Sequence, residues 1–205
     1  AISDKEIHNI KQNDVVHYIK ESKNQGQSHG FLLHNNLFLN ATNQGLFSTD
    51  IRFKNSRTSL VKNSQGVNWH IKKIDNTVFV GHEKGIFIYE RDNSLKLLHP
   101  VIGVWDFKQH DSRKDLIYCG TYNGILILKK NNGKWSFYKR LDGFYDSSRF
   151  MEFDKNYLWV CHPAKGFFKL GLSDNLENIE SFEFLKNFNS NDELFYNYFF
   201  KLNDA

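Results

Sequence analysis

Apolar residues in this chain recur in short runs broken by glycine-containing turns, most regularly in Leu116-Ile-Tyr-Cys-Gly-Thr-Tyr-Asn-Gly-Ile-Leu-Ile-Leu128. That run reads as strand, turn, strand. Weaker copies lie at 37–47, 78–88 and 158–170, and the glycine opening the second strand falls at Gly45, Gly85, Gly124 and Gly166, with spacings of 40, 39 and 42 residues. In the second strand of each repeat both faces are apolar, as in Val78-Phe-Val80 and Leu116-Ile-Tyr-Cys119, which predicts strands covered on both sides. Around each pair the pattern supplies two further strands. In the second repeat these are Trp69–Asp75 and Leu95–Leu98, set off by Asp75-Asn76 and Asp92-Asn93-Ser94.

A repeat of about 40 residues built from short strands predicts an all-β chain with β-propeller blades. Four four-stranded blades are recognisable, at about 29–62, 69–98, 105–138 and 150–185, within a single domain over 1–205. Partial blades are expected at both ends: Val15–Ile19 as an outer strand and 187–202 as the start of a further blade. The chain then reads as a fragment of a larger propeller, unless its last strand completes a blade with the N-terminal segment. A large aromatic opens the first strand of three repeats. Trp69 and Phe150 each stand 16 residues before their glycine, and Trp105 stands 19 before its own because of a longer hairpin loop at 110–115.

Composition narrows the function. With 19 Phe, 9 Tyr, 4 Trp and 40% hydrophobic residues among 205, the chain can fill a core and favours strands. The net charge of +4 is spread along the sequence, so no direct nucleic-acid contact is expected. No apolar run is long enough to span a membrane. Cys119 and Cys161 fall in neighbouring repeats one residue out of register, which points them to opposite faces and predicts two buried free thiols. The nine histidines show no metal spacing, and no catalytic motif or phosphate loop appears, so neither a metal, a cofactor nor an enzyme is expected.

The motif Ile117-Tyr-Cys-Gly-Thr-Tyr-Asn-Gly-Ile125 resembles the two-component-regulator propeller repeat. The stretch 142–154, followed by Leu158-Trp-Val-Cys-His162 and Lys165-Gly-Phe-Phe-Lys-Leu170, is similar to the sensor region of triple-tyrosine-motif regulators of Bacteroidetes-type bacteria. The resemblance covers about 29–186. It implies a periplasmic, non-catalytic sensing propeller of an inner-membrane regulator of signal transduction and transcription. The rest of such a chain would hold further blades, a triple-tyrosine (Y_Y_Y) domain, a membrane helix and an output domain, and a homodimer is among the arrangements it allows.

In a propeller, ligands gather where the loop opening each inner strand meets the loop joining the next two. Here those loops are 64–69, 100–105 and 142–149, with 82–84, 121–123 and 162–165. Stacking aromatics beside fixed polar groups suit a small polar ligand such as a saccharide. The candidate ligand-binding residues are Trp69, Trp105, Asp106, Tyr122, Tyr145, Asp146, Arg149 and His162. For the aromatics the competing reading is packing between blades. For Arg149 it is an ion pair with Asp146 or Asp106. A protein-interaction scaffold is the alternative function.

Overall fold

The computed structural model describes residues 7–12, 15–19, 25–53, 56–162 and 164–186. All regular structure among them is β. Strands β1 (Ile7–Gln12) and β2 (Val15–Ile19) pair as an antiparallel hairpin. Four sheets then follow in chain order, each a four-stranded antiparallel meander. The first holds β3 (Ser28–His34), β4 (Leu37–Thr42), β5 (Leu46–Asp50) and β6 (Ser59–Leu60). The second holds β7 (Asn68–Ile74), β8 (Thr77–His82), β9 (Gly85–Glu90) and β10 (Ser94–Pro100). The third consists of β11 (Val104–Lys108), β12 (Leu116–Thr121), β13 (Gly124–Asn131) and β14 (Lys134–Arg140). The fourth consists of β15 (Phe150–Asp154), β16 (Tyr157–His162), β17 (Gly166–Leu172) and β18 (Ile179–Lys186). Each predicted repeat thus becomes one sheet, which is consistent with a propeller-like fold. The stretch 187–202, expected to open a further blade, lies outside the described residues.

The chain divides into two compact units, one of residues 1–83 and 87–97 and the other of 84–86 and 98–205. Each has its own apolar centre. In the first unit, Leu39, Ala41, Leu46, Val61, Ile71, Val78, Val80 and Leu95 are buried together. In the second, Leu116, Tyr118, Ile125 and Ile127 meet Met151, Phe153, Leu158, Val160, Phe168 and Leu170. Burying a side chain of this size contributes about 1.5–3 kcal/mol. Strand β12 is buried along its whole length, which fits its lack of a polar face. Strand β16 departs from that expectation. Its Tyr157 and Trp159 remain partly exposed, with the Lys169 ammonium 4.2 and 5.5 Å from their ring centres. Cys119 and Cys161 are both buried free thiols. Burial raises the first and pushes the second up to about 11, so both stay protonated.

Hydrogen bonds tie the segments that leave one sheet and enter the next to the strand openings. In the second unit Ser148 N donates to Thr121 O at 2.9 Å, Gly124 N to Asp146 O at 3.0 Å, and Leu141 N to Ile125 O at 2.9 Å. In the first unit Val61 N donates to Leu46 O at 2.8 Å, and Leu46 N to the buried Ser64 Oγ at 3.0 Å. Such close approach explains Gly120, where an added Cβ would sit 2.1 Å from Ser148 O. Gly133 is the contrast, a turn residue at φ +77° with no atom within 4 Å of an added Cβ. Gly120→Ala is expected to cost about 3 kcal/mol through forced backbone movement, and Gly133→Ala about 1 kcal/mol through left-handed strain alone. Urea unfolding of both variants checks this; equal losses would contradict the packing explanation.

Candidate functional site

The first strands of the first three sheets share a register slip near their start. Ser28 pairs with Thr42 and Gly30 with Ala41; Asn68 with His82 and His70 with Gly81; Val104 with Thr121 and Asp106 with Gly120. The residues skipped are His29, Trp69 and Trp105. A bulge of this kind turns its side chain out of the pleat's alternation and re-aims it. In the fourth sheet Phe150 pairs with Cys161, which takes the register place of Gly81 and Gly120. Arg149, not Phe150, therefore stands in the place of Trp69 and Trp105. Counting back from Gly166 misplaces it by one because the β16–β17 turn, from His162 to Gly166, is one residue longer than that from Thr121 to Gly124.

These positions carry planar groups in contact. In the first unit His29 packs on Trp69, with ring centres 4.7 Å apart. In the second unit the Arg149 guanidinium lies 4.8 Å over the Trp105 ring and 5.4 Å over Phe150, and Trp105 packs on Tyr122 at 4.8 Å. Each cation–π contact adds about 0.5–1 kcal/mol when partly exposed. Tyr122 is held by its own N–H donating to Gly103 O at 3.1 Å, and its ring covers Gly103 so closely that a Cβ there would meet it at 2.2 Å. The tyrosine is 38% exposed.

The remaining candidates divide by what holds them. Asp106 is 7% exposed, and its carboxylate accepts from Phe107 N at 2.8 Å and from Met151 N at 3.2 Å on β15, tying the third sheet to the fourth. Asp146 is paired with the Lys165 ammonium. Arg149 has no carboxylate partner among the described residues; its stacking partners are Trp105 and Phe150. Tyr145 is 58% exposed and stacks on no described ring. His162 is occupied locally, its Nδ1 accepting from the N–H groups of Ala164 at 3.2 Å and Lys165 at 3.1 Å. Thr121 closes the corresponding turn with its hydroxyl, donating to Gly124 O at 2.8 Å and accepting from Asn123 N at 3.1 Å. The second unit thus brings together Trp105, Tyr122 and Arg149, and Trp69 belongs to the first. Phe150, the opening aromatic of the fourth repeat, joins the cluster without being among the candidate ligand-binding residues. No group of three or more His, Cys, Asp or Glu that could hold a metal occurs among the described residues. Nor is any helix among them long and apolar enough to cross a membrane.

No protein-family model matches the chain, and no curated protein matches it. Solved structures do. The extracellular domain of a B. thetaiotaomicron protein assigned as a hybrid two component system superposes with a TM-score of 0.63 at 13% identity, over 93% of this chain and 26% of that one. A second structure of that domain, there assigned to a one component system, gives 0.60 at 13% identity over 94% and 27%. The computationally designed protein Ika8 gives 0.52 at 12% identity over 75% and 48%. The chain spans about a quarter of the bacterial structures, and at these identities the likeness is one of fold.

The histidines generate a pH expectation. Burial lowers the imidazoles of His34, His99 and His162 below the ordinary 6.5, and the nearby cations Lys73, Arg140 and Lys165 lower them further, while Asp146 opposes this at His162. A histidine with a folded pKa below its unfolded value takes protons preferentially when unfolded. Its contribution is complete above about pH 6.5 and is lost as the pH falls. The thermal midpoint should therefore drop between about pH 7 and pH 5. His162→Asn, whose Oδ1 can replace the Nδ1 acceptor, should remove part of that drop. Calorimetry across this range checks it, and a flat midpoint would contradict it.

Proposed function

We propose that this chain is an extracytoplasmic sensing domain of a bacterial signal-transduction protein, a portion of a larger β-propeller that binds a small polar ligand such as a saccharide without turning it over. The observation that carries this reading is the Trp105–Tyr122 stack beside Arg149, set at the strand openings and open to solvent along Tyr122. An aromatic face next to fixed polar groups is the usual equipment for holding a sugar ring. The fold likeness to the extracellular domain of a bacterial two component system supports the signalling role. Output would lie elsewhere in a longer chain, behind a membrane helix. The ligand would act by favouring one of two arrangements of the sheets, or of a dimer, through its differential affinity for them.

One observation favours the second reading, a protein-interaction scaffold. Strand β18 is the outer strand of its sheet, and it exposes Phe182 by 52% and Phe184 by 45%. Exposed apolar outer strands invite pairing with another chain.

Thermal unfolding against a panel of mono- and oligosaccharides separates the two. A ligand at about a hundred times its dissociation constant adds about 2.7 kcal/mol, a rise of roughly 5–10 °C for a domain of this size. One saccharide class should produce that rise, and Trp105→Ala should abolish it. No rise with any sugar, together with self-association that Phe182→Ser prevents, would favour the scaffold instead.

A further inference from the structure

Arg149 differs from the other well-anchored arginines in what its charge meets. Arg52 is paired with Asp50, Arg113 with Asp115 and Glu177, and Arg140 donates to the Asn123 carbonyl. The Arg149 guanidinium is held instead by two rings, Trp105 and Phe150, and none of its N–H donors is bonded to a described residue. The two carboxylates expected from the sequence as its ion-pair partners are already engaged. Asp146 is paired with Lys165, and Asp106 accepts the amides of Phe107 and Met151.

We infer that Arg149 receives an anionic substituent, a carboxylate or a sulfate ester, on a sugar whose ring lies against the exposed part of Tyr122 in the Trp105–Tyr122 stack. This rests on the proposed ligand site and names the class of saccharide it takes. Stacking orders the guanidinium before any ligand arrives, so little of its freedom remains to be lost on binding. A guanidinium offers two parallel N–H donors to a carboxylate or a sulfate, and charge-assisted pairs of this kind are about twice as strong as neutral hydrogen bonds. With Asp106 and Asp146 both engaged, neither of the carboxylates read from the sequence as its ion-pair partner competes with the ligand for the fork. Tyr122 is 38% exposed, and the part of its ring that Gly103 and Trp105 leave uncovered would meet the sugar.

The test is calorimetric titration of the chain with three disaccharides of matched linkage: one containing a uronate, its neutral counterpart, and a sulfated form of the neutral sugar. Wild type should bind the uronate or the sulfated sugar about tenfold tighter than the neutral one. Which of the two is preferred identifies the anion. Arg149→Gln should remove most of that preference, and Arg149→Lys, which keeps the charge but not the fork, should retain only part of it. Circular dichroism of each variant establishes that it is folded. Equal binding of all three sugars, unchanged by Arg149→Gln but lost in Trp105→Ala, would overturn the anion assignment and leave the saccharide site standing. Failure of all three to bind at millimolar concentration would overturn both.

Discussion

The site depends on one piece of backbone docking. The N–H of Ser148 donates to Thr121 O, and the carbonyl of Asp146 accepts from Gly124 N. Together they pin the loop that opens the fourth sheet to the β12–β13 hairpin of the third. Ser148 is fully buried, and Gly120 leaves room for its carbonyl, so the loop has little freedom to shift. Arg149 follows immediately. Its position over Trp105 is therefore set by main-chain bonds one residue away rather than by an ion pair of its own. The Asp106 carboxylate adds a second tie, bonding Met151 N two residues further on.

The first unit repeats this logic with different atoms. Ser64 uses its hydroxyl, accepting from Leu46 N and donating to Val61 O at 2.7 Å, and the Asn68 amide donates to Ser64 O at 2.8 Å. Val61 and Leu141 play the same part in the two units, each donating its N–H to the first residue after the glycine that opens a third strand. A shared backbone frame with variable side chains accounts for why His29 and Trp69 stack in one unit while Arg149 and Trp105 stack in the other. The frame supplies the position, and the residue at the bulge supplies the chemistry.

The repeat was legible because a glycine-containing hairpin between two apolar strands leaves a period of about 40 residues that survives divergence elsewhere. The register within the fourth repeat was not. A turn one residue longer between β16 and β17 displaces every count made from Gly166, so Phe150 seemed to match Trp69 and Trp105 when Arg149 does. The bulges left no mark either, because the skipped residues are His29, Trp69 and Trp105 rather than glycines. Asp106 and His162 looked like ligand groups because they are polar and sit at the right loops. The sequence does not show that the Asp106 carboxylate and His162 Nδ1 each accept nearby backbone amides. Arg149 reads from the sequence as a charge that needs either a carboxylate partner or a ligand, and its stacking on Trp105 and Phe150 depends on a register that the sequence does not display.

The choice between stacking and ion pairing has a consequence for exchange. An arginine paired to a protein carboxylate must lose that pair before it can take another anion, and breaking a partly buried pair leaves a charge without compensation. Held by aromatic faces, a guanidinium keeps its orientation while its hydrogen-bonding capacity stays available, because ring and anion engage different parts of the same group. Lysine would not serve in the same way, since its ammonium has no plane to stack and no fork to present. An anion site of the kind proposed needs both a fixed geometry and a reversible occupant. Trp105 and Phe150 provide the first without consuming the donors that the second would use.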